Sequence, residues 1–436
     1  MAIQDNNWLY SLLRYYVDYT FEMAYSDVEY HGTENIPHDG AVIFAPNHTN
    51  ALMDALAVLI VDHKPTVFVA RADIFKRPFF AKLLTFFKIM PIMRMRDGRD
   101  NLKKNDDIME KAVEVLKSGV PFCIMAEGTH RMRHGLLPLV KGIFRIALMA
   151  DRQIAGAMPV YIVPMGIEYG SYVRFGSSLF LQTGEPINVT DFVREHSGME
   201  QPELIMALRA ELSERMKSLI FCVDDDENYD AVVDLAYLRN RSVQRDMGFK
   251  NNSPRERMLA NRRTVEDVER WKSEQPEEWT KLLSAAREFA ALRREHKISD
   301  ETLYDKARWG RVMKRCFMMV VSLLYFLYAA IVTAPVTVLS EIMCSRLEDK
   351  AFCNSFRYVI VLVLSPIVWI LLAVLYAQWL PWFGVISALV LTFPAHVFVH
   401  IYAKWFRLVK SSVRFLRNGR LRSLLSDIDG CLSKLR

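Results

Sequence analysis

The sequence predicts an α/β domain followed by a charged helical connector and C-terminal transmembrane helices. Three observations lead there. Apolar strand-like runs alternate with helical patterns over residues 1–200, as expected of an α/β domain. The composition turns charged from about Gln201 to Arg311, and after Phe317 long stretches carry no charge at all. These shifts divide the chain into an α/β domain at 1–200, a connector at 201–311, transmembrane segments at 312–405 and a basic amphipathic tail at 406–436.

Taken in order, Trp8–Tyr25 is an aromatic, amphipathic helical stretch, suited to packing on the domain or to resting at a membrane interface. Val28–His31 and Ala41–Ala45 read as strands, the second a continuous apolar run fit for a buried sheet. Asn50–Val61 reads as a helix, Thr66–Ala70 as a strand, and Asn101–Lys117 as a helix stopped by Gly119. Pro121–Met125 is a further buried strand, with a helix at Leu139–Ala150 and a strand at Tyr161–Ile167. In the connector, the acidic run Asp224–Glu227 and the Arg/Glu/Lys-rich Arg255–Arg294 predict solvated helices.

Phe317–Leu339 contains no charged residue; as a helix it spans about 34 Å, enough for a hydrocarbon core of roughly 30 Å. Val359–Ile401 also lacks Asp, Glu, Lys and Arg and divides near Gln378–Pro381, the pattern of a helical hairpin, with Trp379, Trp382 and Trp405 as belt aromatics. Arg308, Arg311, Lys314 and Arg315 precede these segments, and seven basic residues from Lys404 to Arg422 follow them. The positive-inside rule wants both flanks on the cytoplasmic side and hence an even number of crossings, against three candidate segments. The tail, Lys404–Ile428, is expected to lie on that leaflet or to dock on the domain.

The net charge of +6 is modest and gives no ground for a nucleic-acid partner. Six cysteines without CxxC pairs or metal-ligand spacing read as reduced thiols, which places the catalytic domain on the cytoplasmic side; no signal peptide is expected. There is no Gly-x-Ser-x-Gly elbow, no Cys–His pairing and no nucleotide-binding glycine loop, so neither a covalent acyl-enzyme, a metal nor a cofactor is expected.

The informative run is Ala45–Asp54, APNHTNALMD, directly after a buried strand. A histidine at a strand end with an aspartate early in the next helix is the arrangement of a general base and its orienting carboxylate. His48 would take a proton from an attacking hydroxyl, and Asp54 would fix the ring tautomer. The five residues between them exclude a shared helical face, so His48 belongs in the loop.

This run, with three more blocks, resembles the glycerolipid acyltransferase family, the lysophospholipid acyltransferase superfamily. Members carry Asn-His, four residues, then Asp; the five-residue gap here is closer to the fungal-type glycerol 3-phosphate/dihydroxyacetone phosphate branch, which also has C-terminal membrane segments. The second block is Lys88–Arg94, KIMPIMR, where the resemblance implies that Arg94 holds the acceptor phosphate and that Arg71, in FVARAD, assists. The third is Phe122–Phe144, in which Glu127, Gly128, Thr129, Gly135–Pro138, Lys141, Gly142 and Phe144 match and His130 replaces the family arginine, leaving Arg131 or Arg133 to bind phosphate. The fourth is IVPMGI at Ile162–Ile167, with Pro164 shaping the acyl-donor groove or serving the strand alone.

The resemblance implies an acyltransferase α/β domain with a mixed sheet. It implies transfer of a fatty acyl group from acyl-CoA or acyl carrier protein to glycerol 3-phosphate, dihydroxyacetone phosphate or 1-acylglycerol 3-phosphate in phospholipid synthesis, with no other cofactor. The implied catalytic residues are His48 and Asp54; Arg71, Arg94, Glu127, Gly128, Thr129, Arg131, Lys141 and Pro164 are the implied substrate-binding set. The partners implied are the thioester donor, the phosphorylated acceptor and membrane lipids. A lysophospholipid or amino-lipid acceptor, a thioester hydrolase and a non-catalytic lipid-binding adaptor are the alternatives.

Overall fold

The computed structural model describes all residues except 1, 2, 6, 63, 93–100, 155, 306 and 436, and only the backbone of 101–105. The chain opens with α1 (Trp8–Met23), β1 (Tyr25–His31), β2 (Ala41–Pro46), α2 (Leu52–Val61), β3 (Val67–Arg71), α3 (Pro78–Phe86) and β4 (Ile89–Ile92). It continues through α4 (Asn101–Lys117), β5 (Phe122–Cys123), α5 (Lys141–Ile154), β6 (Val160–Tyr169), β7 (Ser177–Thr183), β8 (Ile187–Asn188), α6 (Val189–Glu195) and α7 (Gln201–Leu219).

The strands form one mixed sheet in the order β1-β7-β6-β2-β5-β3-β4, with β8 on β6. The strands β6, β2, β5, β3 and β4 are parallel, whereas β7 and β8 run antiparallel to β6. Parallel strands are covered on both faces, which is why β2 is buried along its whole length. α4, α5 and α7 pack on one face around Phe122, Phe144 and Leu208; α1 and α2 pack on the other around Phe21, Phe44 and Met53.

Beyond β7 and β8, which were not expected, two parts of the sheet depart from the expectation. The strand expected at Pro121–Met125 is reduced to Phe122–Cys123, although the Ile124 and Ala126 amides still donate to Phe44 and Pro46 carbonyls as the segment bends into its loop. The second is an edge strand, β4, unsignalled because it contains Pro91 and follows Lys88, whose φ is 58°. Lys88 thus takes a left-handed conformation that glycine adopts most readily. Its buried ammonium donates to the Ile3 and Asp5 carbonyls (2.9 and 2.7 Å).

The connector is a helical body with its own core: α8 (Tyr229–Asp246), α9 (Pro254–Glu274), α10 (Pro276–Glu295) and α11 (Asp300–Tyr304) pack around Trp271, Leu282 and Phe289. Then come α12 (Trp309–Val321), α13 (Leu323–Arg346), α14 (Cys353–Ala377), α15 (Trp382–Thr392), α16 (Ala395–Arg417) and α17 (Gly419–Lys434).

Among the described residues, three helical stretches are long and apolar enough to cross a membrane: Leu323–Arg346, Lys350–Ala377 and Trp382–Arg417. Leu324, Ile331, Ile370 and Val390 lie bare on their surfaces, an exposure of apolar area suited to lipid. The uncharged run Phe317–Leu339 is not one helix: at Ser322 the helix breaks, with Ser322 Oγ bonding back to the Met318 carbonyl at 2.7 Å. α13 and α14 are antiparallel, since the Tyr328 and Tyr376 hydroxyls meet at one end (3.1 Å) and Cys344 bonds the Cys353 carbonyl at the other. The path therefore runs out along α12, back along α13, out along α14 and back along α15–α16. Four limbs bring both basic flanks to the same helical body, although among the described residues three stretches have the length and composition of spans.

The tail corrects one expectation. Its apolar residues Leu421, Leu424 and Ile428 are buried in the connector's core, not laid on a lipid surface, and Arg420 forks onto Glu288 with two 2.8 Å hydrogen bonds. Ser411 is likewise buried, its hydroxyl 2.7 Å from that of Thr302. Maleimide labelling in detergent checks this: Ser411→Cys should be protected whether or not anionic lipid is added, while Ser423→Cys labels freely. Leu421→Ala should cost roughly 2–5 kcal/mol, read as a lowered Tm.

Candidate active site

The centre of the domain lies where the parallel strands end. β2 delivers Asn47 and His48, β5 leads into Glu127, and β6 ends on Tyr169. Such a crevice at the carboxyl ends of parallel strands is where open α/β sheets bind ligands. Asn47 ties two of these ends together: its side-chain oxygen accepts from the Ile167 amide at 2.7 Å and its amide donates to the Ile167 carbonyl at 3.1 Å.

His48 sits in the loop ahead of α2, as its spacing required. Its Nδ1 lies 2.8 Å from Asp54 Oδ2, and Asp54 is fully buried on the first turn of α2. The same oxygen accepts the Thr49 and Asn50 amides at 2.8 and 2.7 Å, and Oδ1 accepts the Tyr169 hydroxyl at 2.8 Å. Ala51, at φ 49° and ψ −120°, takes a conformation that L-residues rarely adopt. A carboxylate can only accept, so Nδ1 carries the proton and the Nε2 lone pair remains, with no protein partner among the described residues. Burial and the Asp54 carboxylate hold the Tyr169 phenol well above its ordinary range, so it stays a donor.

Glu127 is placed differently from expectation. Both its oxygens are occupied by backbone amides, of His48 at 2.6 Å and Leu137 at 2.8 Å. It clamps the His48 loop to the Glu-Gly-Thr loop and presents no oxygen to a substrate. Gly128 follows at φ +65°, where a Cβ would lie 2.6 Å from Val140 Cγ1, so this turn needs glycine. Thr129 is exposed beyond it, and the Arg131 amide closes the loop onto the His48 carbonyl at 3.1 Å.

Of the basic residues, Arg131 is half-buried and makes no side-chain ion pair among the described residues. Arg133 is committed: it pairs with Asp226 and stacks on the Tyr229 ring at 3.9 Å. Arg71 is exposed and paired with Asp73 at 2.5 Å. Lys141 lines a groove of about 480 Å³ with Arg145 and Arg152 on the α4–α5–α7 face, apart from the His48 cluster. Pro164 is in the sheet interior, in the gap between the β6–β8 and β6–β7 pairings, where no ladder N–H is needed. Arg94 lies outside the described residues. No cluster of three or more His, Cys, Asp or Glu able to hold a metal ion occurs among the described residues.

Sequence reasoning missed Asn47, Tyr169 and the contacts of His130, noted only as replacing the family arginine. His130 stands 5.5 Å from His48, ring to ring, and its Nε2 lies 2.8 Å from Asp349 in the turn between α13 and α14. The Asn-His dipeptide was a signal for the first; nothing local marks the other two.

Residues 27–168 match a family model described as Acyltransferase. This stretch is similar to that family. It holds the His48 loop, the Glu127 clamp and Tyr169's strand as far as Glu168; the helical body and apolar helices lie beyond the match. Among solved structures the chain is similar to 1-acyl-sn-glycerophosphate (LPA) acyltransferase, PlsC, from Thermotoga maritima, with 24% identity, 48% of this chain and 77% of that chain covered, and a TM-score of 0.36. No curated protein matches the chain.

The Glu127 clamp responds to pH. Burial pushes the Glu127 carboxyl up to about 7, outweighing the two amide donors. A carboxyl raised on folding binds more protons in the native state between its unfolded value near 4.5 and about 7, so its contribution to stability falls as pH rises through that window. The difference in Tm between wild type and Glu127→Gln should therefore shift against wild type from pH 5 to pH 8, and a flat difference would show that Glu127 is ionised throughout. At all pH values the glutamine loses one amide acceptor, at about 1–3 kcal/mol.

Proposed function

We infer that this chain is a membrane O-acyltransferase that moves a fatty acyl group from an acyl-CoA or acyl carrier protein thioester to the hydroxyl of a glycerol phosphate-type acceptor. The observation that carries the reading is the buried Asp54 on His48 Nδ1, which leaves Nε2 as an oriented base. His48 removes the acceptor's hydroxyl proton as the oxygen attacks the thioester carbonyl. The tetrahedral adduct then collapses, the C–S bond breaks, and the thiolate leaves with the proton that His48 took. Ester and thiol are the products, and no acyl-enzyme is formed.

Asp54 stabilises the transient imidazolium, and Tyr169 with two backbone amides keeps that carboxylate still. The apolar helices suit a lipid product, which is best released into a bilayer. The five-residue gap and these helices support the fungal-type glycerol 3-phosphate/dihydroxyacetone phosphate branch. With Arg133 and Arg71 held in ion pairs, Arg131 is the described arginine best suited to an acceptor phosphate.

Purified protein with labelled acyl-CoA, offered glycerol 3-phosphate, dihydroxyacetone phosphate and 1-acylglycerol 3-phosphate in turn, tests the reaction and its acceptor. His48→Ala should lower turnover on the order of 10²–10⁴-fold. Asp54→Asn should also fall steeply, because an amide can donate to Nδ1 and so favour the wrong tautomer. Arg131→Ala should raise the acceptor KM more than the donor KM. Turnover by His48→Ala near that of wild type would overturn the reading.

A further inference from the structure

The turn between α13 and α14 reaches back to the catalytic loop. Asp349 Oδ2 accepts a 2.8 Å hydrogen bond from His130 Nε2, and the Phe352 ring meets the His130 ring edge-on at 4.8 Å. His130 in turn lies 5.5 Å from His48. Asp349 is itself fixed, since its Oδ1 accepts the Ala351 amide at 2.9 Å. Three further bonds hold the start of α14 against the domain. The Leu52 amide donates to Ser355 Oγ (3.2 Å), Asn354 donates to the Tyr172 carbonyl (2.9 Å), and Arg357 donates to the Val173 carbonyl. These are not contacts of a passive anchor.

His130 occupies the position where the resembled family carries an arginine for phosphate. Here the donor at that position already has an anion, supplied by the chain itself from far along the sequence. We propose that Asp349 is a specificity-determining residue: it takes the anion place beside His48 and thereby weighs the charge of the acceptor headgroup. This rests on the acyltransfer reading. A phosphate arriving at His130 must compete with the Asp349 carboxylate for Nε2–H and meet its charge, whereas an uncharged hydroxyl compound meets neither cost. The His130 bond and the Ala351 amide hold the Asp349 carboxyl below the usual carboxylate range, so the competing charge is present at neutral pH. Asp349 is half exposed, which moderates the repulsion.

The experiment is a calorimetric titration of the full-length protein in detergent with glycerol 3-phosphate, and with glycerol as the uncharged probe. Asp349→Asn, and independently Asp349→Ser, keep a side-chain acceptor for the Ala351 amide and should bind glycerol 3-phosphate about three- to fivefold more tightly. Glycerol binding should not move. Asp349→Glu, which keeps the charge, should bind as wild type does, and adding His130→Ala to Asp349→Asn should erase the gain. Equal affinities in wild type and both neutral variants, or no glycerol 3-phosphate binding in any of them, would overturn the proposal. Because binding is measured without an acyl donor, the two readings fail separately. Tighter binding in a protein that acylates no acceptor would end the acyltransfer reading and keep the charge selection; acylation with unchanged binding would do the reverse.

Discussion

The buried carboxylate of Asp54 is the group on which the rest of the site depends. An ionised side chain taken out of water is costly unless its lone pairs are met, and this one gathers four donors: the His48 ring, the Thr49 and Asn50 amides and the Tyr169 hydroxyl. Meeting it forces the loop to curl back over the first turn of α2. That curl puts Ala51 at φ 49°, a conformation that costs an L-residue on the order of 1–3 kcal/mol. The charge-assisted bonds offset that strain, and the same geometry fixes which ring nitrogen of His48 is free. Folding of the loop and orientation of the His48 ring are thus one event.

Two further clamps make the arrangement rigid. Asn47 locks the end of β2 to β6 through a pair of bonds to Ile167, and Glu127 locks it to the loop after β5 through the His48 amide. Each uses a polar side chain to bind main chain, so the three strand ends cannot drift apart without leaving buried groups unpaired. The Glu-Gly-Thr loop is held from its far side as well. His134 bonds to the Tyr237 hydroxyl at 2.8 Å, and its amide accepts no freedom either, donating to the Tyr229 hydroxyl at 2.8 Å. The helical connector therefore buttresses the loop that carries the basic residues.

What was legible in the sequence was local. The alternation of apolar runs gave the strands that end at the site, and the position of His48 followed from a spacing incompatible with one helical face. The mixed sheet came with the family resemblance. The Glu127 match was seen, but its role was not, because a carboxylate spent on two amides looks the same in sequence as one aimed at a ligand. Tyr169 and Asp349 carry no local signal: each reaches its partner only when strands and helices distant in sequence are packed. The tail was misread for a related reason. Its amphipathic pattern specifies an apolar face but not what covers it, and α10 supplies the cover where a leaflet was expected. Ser322 shows the limit of hydropathy, which counts an uncharged run as continuous although the helix breaks within it.

The apolar helices also enter the argument about how the domain holds together. Leu52 begins α2, and the first amides of any helix lack intrahelical partners. Here Ser355 Oγ, at the start of α14, accepts the Leu52 amide, on the same helix that carries Asp54. Tyr358 is buried in the core of the α/β domain beside Phe21, and its hydroxyl donates to the Val17 carbonyl at 2.8 Å. Without α14 the domain would expose that core and leave the Tyr172 and Val173 carbonyls without these bonds. α2, the aromatic helix α1 and the α13–α14 hairpin are therefore parts of one packed unit. The hairpin's turn also sits against His130, the ring beside His48.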